Sequence, residues 1–343
     1  MKNDRGNFVI LRTDRIGEVL LASILADNLK AAFPLSKIDF VTSKYSADVL
    51  KGNAAISDIL EFDTIIGKNV FFGGLKLARR LKSGKYDAAF VLNPHKTLHL
   101  GCFLAGIPLR VGYNRKWGFL LTKTTEDPRE KGLKHETEYA LDILKLAGIE
   151  GKIKYPKLYP GLEQIETVAL DLKNNDIDTS KPVIVIHASA SNPAKMWPKR
   201  NYAELITKIK NTIDCGVVLT GDMESHSLAE EIVKVSGKKC FNASGKFNLG
   251  ETGALLKEAD VFIGNDSGPM HMAAAAGACV IAIFGRNIPG VGPKRWGPCG
   301  EGHVVFHKAD CEVCRDTNCP HGYRCLMAIT PEEVFAAVKK KLG

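Results

Sequence analysis

The 343-residue sequence lacks any apolar run close to the ~20 residues that a membrane-spanning helix requires. Its first residues, MKNDRGNFVIL, place charges where a secretory signal peptide has its apolar stretch. With 45% hydrophobic and 25% charged residues, the composition is that of an ordinary folded protein. We therefore expect a cytoplasmic protein and not an integral membrane protein.

Two doubly wound domains are predicted, because a chain of this length fits two cores of roughly 150 residues each. Short runs rich in Val, Ile and Phe alternate with helical segments, a pattern typical of parallel sheets covered by helices on both faces. The strand candidates are residues 8–11, 37–41, 58–62, 87–92, 183–187, 216–220, 260–264 and 279–285. We place the domains at 1–165 and 166–343. The last helix, at about 331–342, either packs within the second domain or packs back on the first.

The chain carries 47 basic and 38 acidic residues, and its net charge of +9 suits an anionic partner. Nucleic acid is disfavoured, because the charge is dispersed, aromatic residues are not interleaved with it and no recognition motif is present. The remaining candidates for the anionic partner are a phosphorylated metabolite and an acidic membrane surface. The run Lys339–Lys341 suits contact with anionic lipids.

Nine cysteines fall into two groups. Four stand singly inside apolar stretches, as small buried hydrophobic residues do: Cys102, Cys215, Cys240 and Cys279. The other five lie near the C-terminus: Cys299 comes first, and the run CEVCRDTNCPHGYRC then contains Cys311, Cys314, Cys319 and Cys325. These four thiols would complete a tetrahedral structural metal site, although the later spacing is not that of a repeated zinc knuckle. Reduced or redox-linked thiols are the alternative.

The segment FIGNDSGPMHMAAAAG predicts a strand, a polar loop and a helix that begins at Pro269. Backbone N–H groups of the loop, the positive end of the helix and the Ser267 hydroxyl suit an anion. Alternatively, Asp266 or Ser267 simply caps the helix. The loop has neither a GxGxxG nor a Walker pattern, which disfavours the common dinucleotide and NTPase sites.

A second loop, HASASNPAKMWP, also follows a predicted strand. Ser189 and Ser191 offer hydroxyl donors to phosphate oxygens, and Lys195 offers a positive charge. His187, at the strand end, is expected to be a hydrogen-bonded structural histidine rather than a base. Ligands bind at the carboxyl ends of the strands in such sheets.

The N-terminal stretch RTDRIGEVLLA places an acid, Glu18, directly after Gly17 at the start of a predicted helix. The preference of the helix dipole for acids in the first turn explains this position without any chemistry. A catalytic carboxylate is the alternative.

These segments, in this order and together with the tail CPHGYRCLMAITPEEV, resemble glycosyltransferase family 9, the lipopolysaccharide heptosyltransferases, and most closely the second type. The resemblance implies a GT-B fold, with an acceptor-binding and a donor-binding Rossmann-like domain facing across a cleft that closes on its substrates. It also implies an ADP-heptose donor and inverting transfer to the inner core of lipopolysaccharide. The protein would then work peripherally, at the cytoplasmic face of the inner membrane.

The resemblance also suggests roles for single residues. Glu18 falls where the family has a catalytic acid, commonly Asp, and Asp14 is the fallback for the general base. The donor-binding candidates are Ser189, Ser191, Lys195, Asp266, Ser267, Gly268 and His271. The acceptor-binding candidates are Arg110, Arg115 and Lys116, whose alternative interpretation is an ordinary basic loop.

The chemistry of inverting transfer suits these groups. One carboxylate takes the proton of the attacking hydroxyl, while a lysine, hydroxyls and a helix N-terminus stabilise the departing diphosphate. No DxD pair of acids stands beside the phosphate loop, so we expect transfer without a metal or a cofactor. A transferase of another nucleotide sugar and a GT-B-type nucleotide-sugar epimerase remain as alternatives.

Overall fold

The computed structural model describes residues 5–63, 69–311, 314, 317 and 319–343. Contacts within the chain divide it into two compact units, Met1–Pro156 and Lys157–Gly343. The division predicted from the sequence, at 165/166, falls after the Pro- and Tyr-rich stretch and inside the helix Leu162–Asn174.

Within the described residues, six strands form the sheet of the first unit, in the order β3-β2-β1-β4-β5-β6 with every neighbouring pair parallel. The strands are β1 Asn7–Leu11, β2 Lys37–Thr42, β3 Asp58–Glu61, β4 Ala88–Val91, β5 Leu109–Tyr113 and β6 Lys123–Thr125. The helices are α1 Ile16–Ala22, α2 Ile24–Ala32, α3 Val70–Lys82, α4 Lys96–Leu104 and α5 Glu136–Leu146. The order reverses between β1 and β4, so the loops after these two strands open at the switch point of the sheet.

The described part of the second unit repeats this order, β12-β11-β10-β7-β8-β9, again with parallel neighbours. The strands are β7 Val183–His187, β8 Gly216–Leu219, β9 Phe241–Asn242, β10 Val261–Asn265, β11 Cys279–Phe284 and β12 Val304–His307. The helices are α6 Leu162–Asn174, α7 Lys199–Thr212, α8 His226–Ser236, α9 Leu249–Lys257, α10 Gly268–Ala276, α11 Pro293–Trp296, α12 Arg324–Met327 and α13 Pro331–Leu342. Short 3-10 turns occupy Lys44–Leu50, Gly118–Leu120, Arg129–Lys131, Pro193–Lys195 and Met223–Ser225.

The structure confirms the predicted α/β class, because both sheets are parallel and flanked by helices. The central strands are buried on both faces, as their continuous Val, Ile and Phe runs require. One predicted helix differs: the segment after Gly17 forms two helices, because the Ser23 hydroxyl donates to the Leu20 carbonyl at 2.7 Å and α1 ends there.

The last helix, α13, begins with a capping box between Thr330 and Glu333. The sequence analysis allowed this helix to pack on the first domain. In the structure Val334 and Val338 are fully buried in the core of the second unit, against α7 and β11. None of the described helices combines the length and the apolar character needed to cross a bilayer.

Candidate functional site

The carboxyl ends of β7 and β10 lie side by side where the strand order of the second sheet reverses. Asn265, the last residue of β10, is fully buried and joins the loops that follow both strands. Its side-chain oxygen accepts hydrogen bonds from the Trp197 amide and the Tyr202 hydroxyl, each at 3.0 Å. Its side-chain amide donates to the Ala188 carbonyl at 2.9 Å. The two loops that the sequence singled out for phosphate binding are therefore held together.

Asp266 follows Asn265 and binds two cations with one carboxylate oxygen. The Lys195 ammonium lies 2.8 Å from Oδ2, and the Arg286 guanidinium lies 3.0 Å from the same atom. Lys195 also donates to the Asp266 backbone carbonyl at 3.2 Å. All three side chains are largely buried. Lys195 and Arg286 therefore bring two cationic side chains to one carboxylate, and cationic donors of this kind suit an anionic ligand.

Arg286 was missed by the sequence reasoning. It follows β11 and has a φ of 64°, a left-handed backbone conformation that is uncommon for a residue with a side chain. Its position directly after a predicted strand was the available signal, since strand ends at this edge of a parallel sheet form the ligand site.

The N-terminus of α10 lies at the same place. Ser267 is the N-cap residue, Gly268 begins the helix, and Pro269 occupies the first turn. Within the described part of the chain, the Ser267 side chain accepts no hydrogen bond from the first turn; its hydroxyl donates to the Asn265 carbonyl at 3.3 Å instead. The capping interpretation of Ser267 is therefore wrong. The uncapped N–H groups and the dipole of this helix favour an anion beside the Lys195–Asp266–Arg286 cluster.

His271 lies one turn further along α10. It is 4% exposed, and its ring packs edge-on against Trp296, with 6.3 Å between centroids. This arrangement places an imidazole and an indole next to the helix terminus that carries Ser267 and Gly268.

In the loop after β7, Ser189 belongs to a series of hydrogen-bonded polar side chains. The Ser189 hydroxyl lies 3.3 Å from His187 Nε2 and 2.8 Å from the Ser225 hydroxyl, which in turn contacts Asp222. His187 donates from Nδ1 to the Thr220 carbonyl at 3.0 Å, and burial lowers its pKa. A neutral, hydrogen-bonded His187 agrees with its expected structural role. Ser191 is exposed in the same loop. Ser225 and Asp222 follow β8, and the sequence reasoning did not select them.

In the first unit, Glu18 lies in the first turn of α1, after β1. Burial raises its pKa, and the nearby Asp14 carboxylate raises it further, while the Arg12 charge opposes both effects. Asp14 itself accepts a hydrogen bond from Arg12 Nε at 2.7 Å. Glu18 therefore binds a proton more tightly than an ordinary glutamate, which is the property of a stronger base.

Arg12 anchors this end of β1 through a buried ion-pair network that sequence reasoning did not foresee. Its Nη1 lies 3.0 Å from Glu136 Oε1, and Arg129 Nη1 lies 3.5 Å from the same oxygen. Arg129 also pairs with Asp127 at 2.7 Å, and these interactions lower the pKa of Asp127 to about 2 against the opposing effect of its burial. The network fixes the end of β1, which the loop of Asp14 and the helix of Glu18 follow.

The three acceptor-binding candidates have different surroundings. Arg110 uses its guanidinium on backbone carbonyls, including that of Leu120 at 2.7 Å. Arg115 pairs with Asp127 at 3.0 Å and with Glu130 at 3.3 Å. Lys116 is exposed, in a left-handed backbone conformation next to the 3-10 turn at 118–120. Arg110 and Arg115 thus have structural partners, and Lys116 projects towards solvent.

The four C-terminal thiols, together with Arg286 and Ala194, line one small cavity of about 10 Å³, room for a single water at most. All four are free thiols. Among the described residues, no three or more Cys, His, Asp or Glu side chains are grouped as ligands for a metal ion. The four thiols therefore lie beside Arg286 of the candidate donor site.

The chain is similar to known proteins of one family. Residues 74–323, more than half of the chain, match Glycosyltransferase family 9 (heptosyltransferase). Lipopolysaccharide heptosyltransferase 2 of Escherichia coli is 27% identical over 334 residues, which cover 93% of this chain and 94% of that protein.

Two solved structures show the same fold. A family 9 glycosyl transferase from Veillonella parvula superposes with a TM-score of 0.88 at 20% identity, covering 100% of this chain and 98% of that one. The structure of E. coli ADP-heptose lps heptosyltransferase II superposes with a TM-score of 0.78 at 21% identity, covering 98% of each chain. The protein is an enzyme with a GT-B fold, and it belongs to glycosyltransferase family 9, the heptosyltransferases.

Proposed function

We propose that this enzyme transfers heptose from ADP-heptose to the inner core of lipopolysaccharide, with inversion at the anomeric carbon. Family membership supports heptosyl transfer, and the relatives named above act on lipopolysaccharide and ADP-heptose. The observation that carries the proposal is the Lys195–Asp266–Arg286 cluster at the N-terminus of α10, because it suits the diphosphate of a nucleotide sugar.

The donor half of the reaction belongs to the second unit. Lys195 and Arg286 supply positive charge to the diphosphate, and the N–H groups of Ser267 and Gly268 supply hydrogen-bond donors. When the bond between the anomeric carbon and the diphosphate breaks, its electron pair leaves with ADP and negative charge grows on the phosphate oxygens. Fixed cations and a helix N-terminus stabilise that charge.

The acceptor half belongs to the first unit. An acceptor hydroxyl forms the new bond to the anomeric carbon from the face opposite the departing ADP, and its proton passes to the Glu18 carboxylate. The raised pKa of Glu18 makes it a better base than an ordinary carboxylate, provided that it is deprotonated at the working pH. Asp14, in its hydrogen bond with Arg12, is the fallback base.

Acceptor recognition is proposed for Arg110, Arg115 and Lys116, since guanidinium and ammonium groups suit the carboxylates and phosphates of an inner core. Lys116 is exposed and is the first of the three to test. We place the enzyme at the cytoplasmic face of the inner membrane, where such an acceptor is held in the bilayer.

The test is a transfer assay with ADP-heptose and truncated lipopolysaccharide acceptors, followed by mass spectrometry and linkage analysis of the product. We expect one heptose added with inverted configuration, and equal rates with EDTA and with Mg²⁺, because protein cations stabilise the leaving group. The matched control omits the acceptor, and only slow hydrolysis is then expected. An epimerised sugar nucleotide in that control would overturn the proposal, as would transfer from other nucleotide sugars in preference to ADP-heptose.

A further inference from the structure

The net positive charge of the chain is concentrated in one segment. Residues 69–123 contain ten Lys or Arg residues and a single acid, Asp87. The net charge of this segment, +9, equals that of the whole chain, so the rest of the sequence is neutral in sum. The expectation that the positive charge is dispersed is therefore wrong, because the net charge of a whole chain does not show how its segments differ.

The same segment exposes large aromatic side chains. Phe71 is 59% exposed, Phe72 69%, Phe103 47% and Phe119 76%, and Trp117 is also exposed. Single exposed apolar residues are normal on protein surfaces. Five aromatic rings within one short basic segment are a concentration of the kind that marks an interaction surface.

Helices α3 and α4 place the residues of this segment next to one another. The two helices pack directly: Gly73 lies against Thr97, and Gly101 lies against Leu77. Phe71 and the neighbouring Phe72 therefore lie at the end of α3 that adjoins the start of α4.

The loop after β5 adds to the same surface. The Lys96 ammonium, at the start of α4, lies 5.5 Å from the centroid of the Trp117 ring, and Trp117 lies 6.4 Å from Phe119. At the other end of α4, the Arg110 guanidinium lies 5.5 Å from the Phe103 ring. We give the name aromatic–basic face to the surface at the paired starts of α3 and α4, formed by Phe71, Phe72, Lys96, Trp117 and Phe119. The exposed basic side chains of α3, and Phe103 further along α4, extend it.

We propose that the aromatic–basic face docks the enzyme on an anionic lipid bilayer. Aromatic side chains bury favourably at the level of the lipid headgroups, and Lys and Arg beside them are attracted to lipid phosphates. The exposed side chain of Leu104, next to Phe103, favours lipid over nucleic acid, because an aliphatic group has no ring face on which a base could stack. The inference deepens the proposed function, on which its biological sense rests: an enzyme whose acceptor is held in a membrane would dock by this face.

The experiment is co-sedimentation of the full chain with vesicles of phosphatidylglycerol and phosphatidylethanolamine, compared with vesicles of phosphatidylcholine alone. The parent is expected to bind the anionic vesicles and to be released by salt. The variant F71S/F72S/F119S is expected to lose binding by on the order of tenfold or more, because it removes apolar area from the face. The matched control, L162S/L170S/V235S, removes three exposed apolar side chains from the second unit and is expected to bind like the parent.

A second pair of variants tests the charge separately. K76Q/R79Q/K82Q removes three exposed cations from α3, and K173Q/K234Q/K257Q removes three exposed cations from the second unit. At roughly 1 kcal/mol for each cation near an anionic surface, the first variant is expected to weaken vesicle binding by about a hundredfold and the second to leave it unchanged. Equal losses in the two variants would show that net charge alone drives binding and would overturn the proposal.

The proposed function is tested separately, by measuring heptose transfer to a deacylated, water-soluble acceptor. F71S/F72S/F119S is expected to transfer to that acceptor at the parent rate while losing vesicle binding. Vesicle binding by a parent that transfers no heptose would contradict the proposed function and leave the docking face standing. Parent-like vesicle binding by F71S/F72S/F119S, or binding of RNA by a parent that ignores anionic vesicles, would overturn the docking proposal.

Discussion

Lys195 and Asp266 form a buried ion pair of 2.8 Å between loops that follow two neighbouring strands, β7 and β10. Arg286, from the end of β11, contacts the same carboxylate oxygen at 3.0 Å. Three strand ends thus contribute to one charged cluster. The Asp266 carboxylate holds both cations in place, and a lysine and an arginine side by side suit the charge of a diphosphate.

Lys195→Gln is expected to weaken ADP binding by about tenfold to a hundredfold, the ~1.5–3 kcal/mol typical of a hydrogen bond to a charged group. Arg286→Gln is expected to act in the same direction, because it removes the other cation of the cluster. Isothermal titration calorimetry with ADP measures both. Lys199→Gln, which removes an exposed cation of α7 paired with Glu231, is the matched control. ADP affinity within twofold of the parent for Lys195→Gln would remove Lys195 from the donor site.

Residues of this cluster could be predicted where a local sequence pattern marks them, but not where only contacts between distant parts of the sequence do. Lys195 and Asp266 each stand in a loop of recognisable composition after an apolar run, so local pattern was sufficient to select them. Arg286 also follows an apolar run, but its loop lacks a recognisable phosphate-binding composition, so its distance to Asp266 is the stronger sign of its involvement. Likewise, Arg12 and Glu136 lie 124 residues apart, and no local pattern connects them.

The strands show the same limit. Seven of the eight predicted strands lie inside their sheets, where Val, Ile and Phe runs are buried on both faces, and the eighth, β3, is an edge strand. β6, β9 and β12 are short edge strands of two to four residues, too short to show a periodic pattern. The helix pattern after Gly17 was correct in type but not in number, because one hydrogen bond of Ser23 ends α1.

Glu18→Gln is expected to lower kcat for transfer by roughly 10²–10⁴-fold, the typical contribution of a positioned general base. ADP affinity should stay at the parent value, since the proposed donor residues belong to the second unit. Glu18→Asp, which restores the commoner acid of the family with a side chain one methylene shorter, is expected to keep part of the activity. Steady-state kinetics and ADP titration of each variant provide the measurements.

The control for Glu18 is Glu163→Gln, which removes another first-turn acid, from α6. If the role of Glu18 were only to complement the helix dipole, both substitutions would have similar small effects. Near-parent turnover by Glu18→Gln would therefore restore the dipole explanation and remove Glu18 from the mechanism.

Asp14→Asn separates the two candidate bases by pH dependence. The reaction needs deprotonated Glu18, and burial and the Asp14 charge raise the pKa of Glu18, so kcat/KM is expected to fall as pH drops through a pKa above the ordinary value of 4.5. Removing the Asp14 charge lowers the pKa of Glu18, so the acid limb is expected to move to lower pH while the plateau rate is largely kept. Loss of activity at every pH would instead identify Asp14 as the base.

Glu136→Gln tests the network that holds β1 in place. The Glu136 side chain is 3% exposed and lies between Arg12 and Arg129, so the neutral amide leaves two buried cations with less negative charge. Breaking such a buried pair typically costs 3–5 kcal/mol, and we expect a loss of about 3 kcal/mol in the free energy of unfolding, measured by urea denaturation. The matched control is Glu130→Gln. Glu130 is 79% exposed and is one of two acidic partners of Arg115, so its loss is expected to change the free energy of unfolding by less than about 0.5 kcal/mol. Equal unfolding midpoints for the two variants would mean that Arg12 does not depend on Glu136, and Asp14 would then be its principal partner.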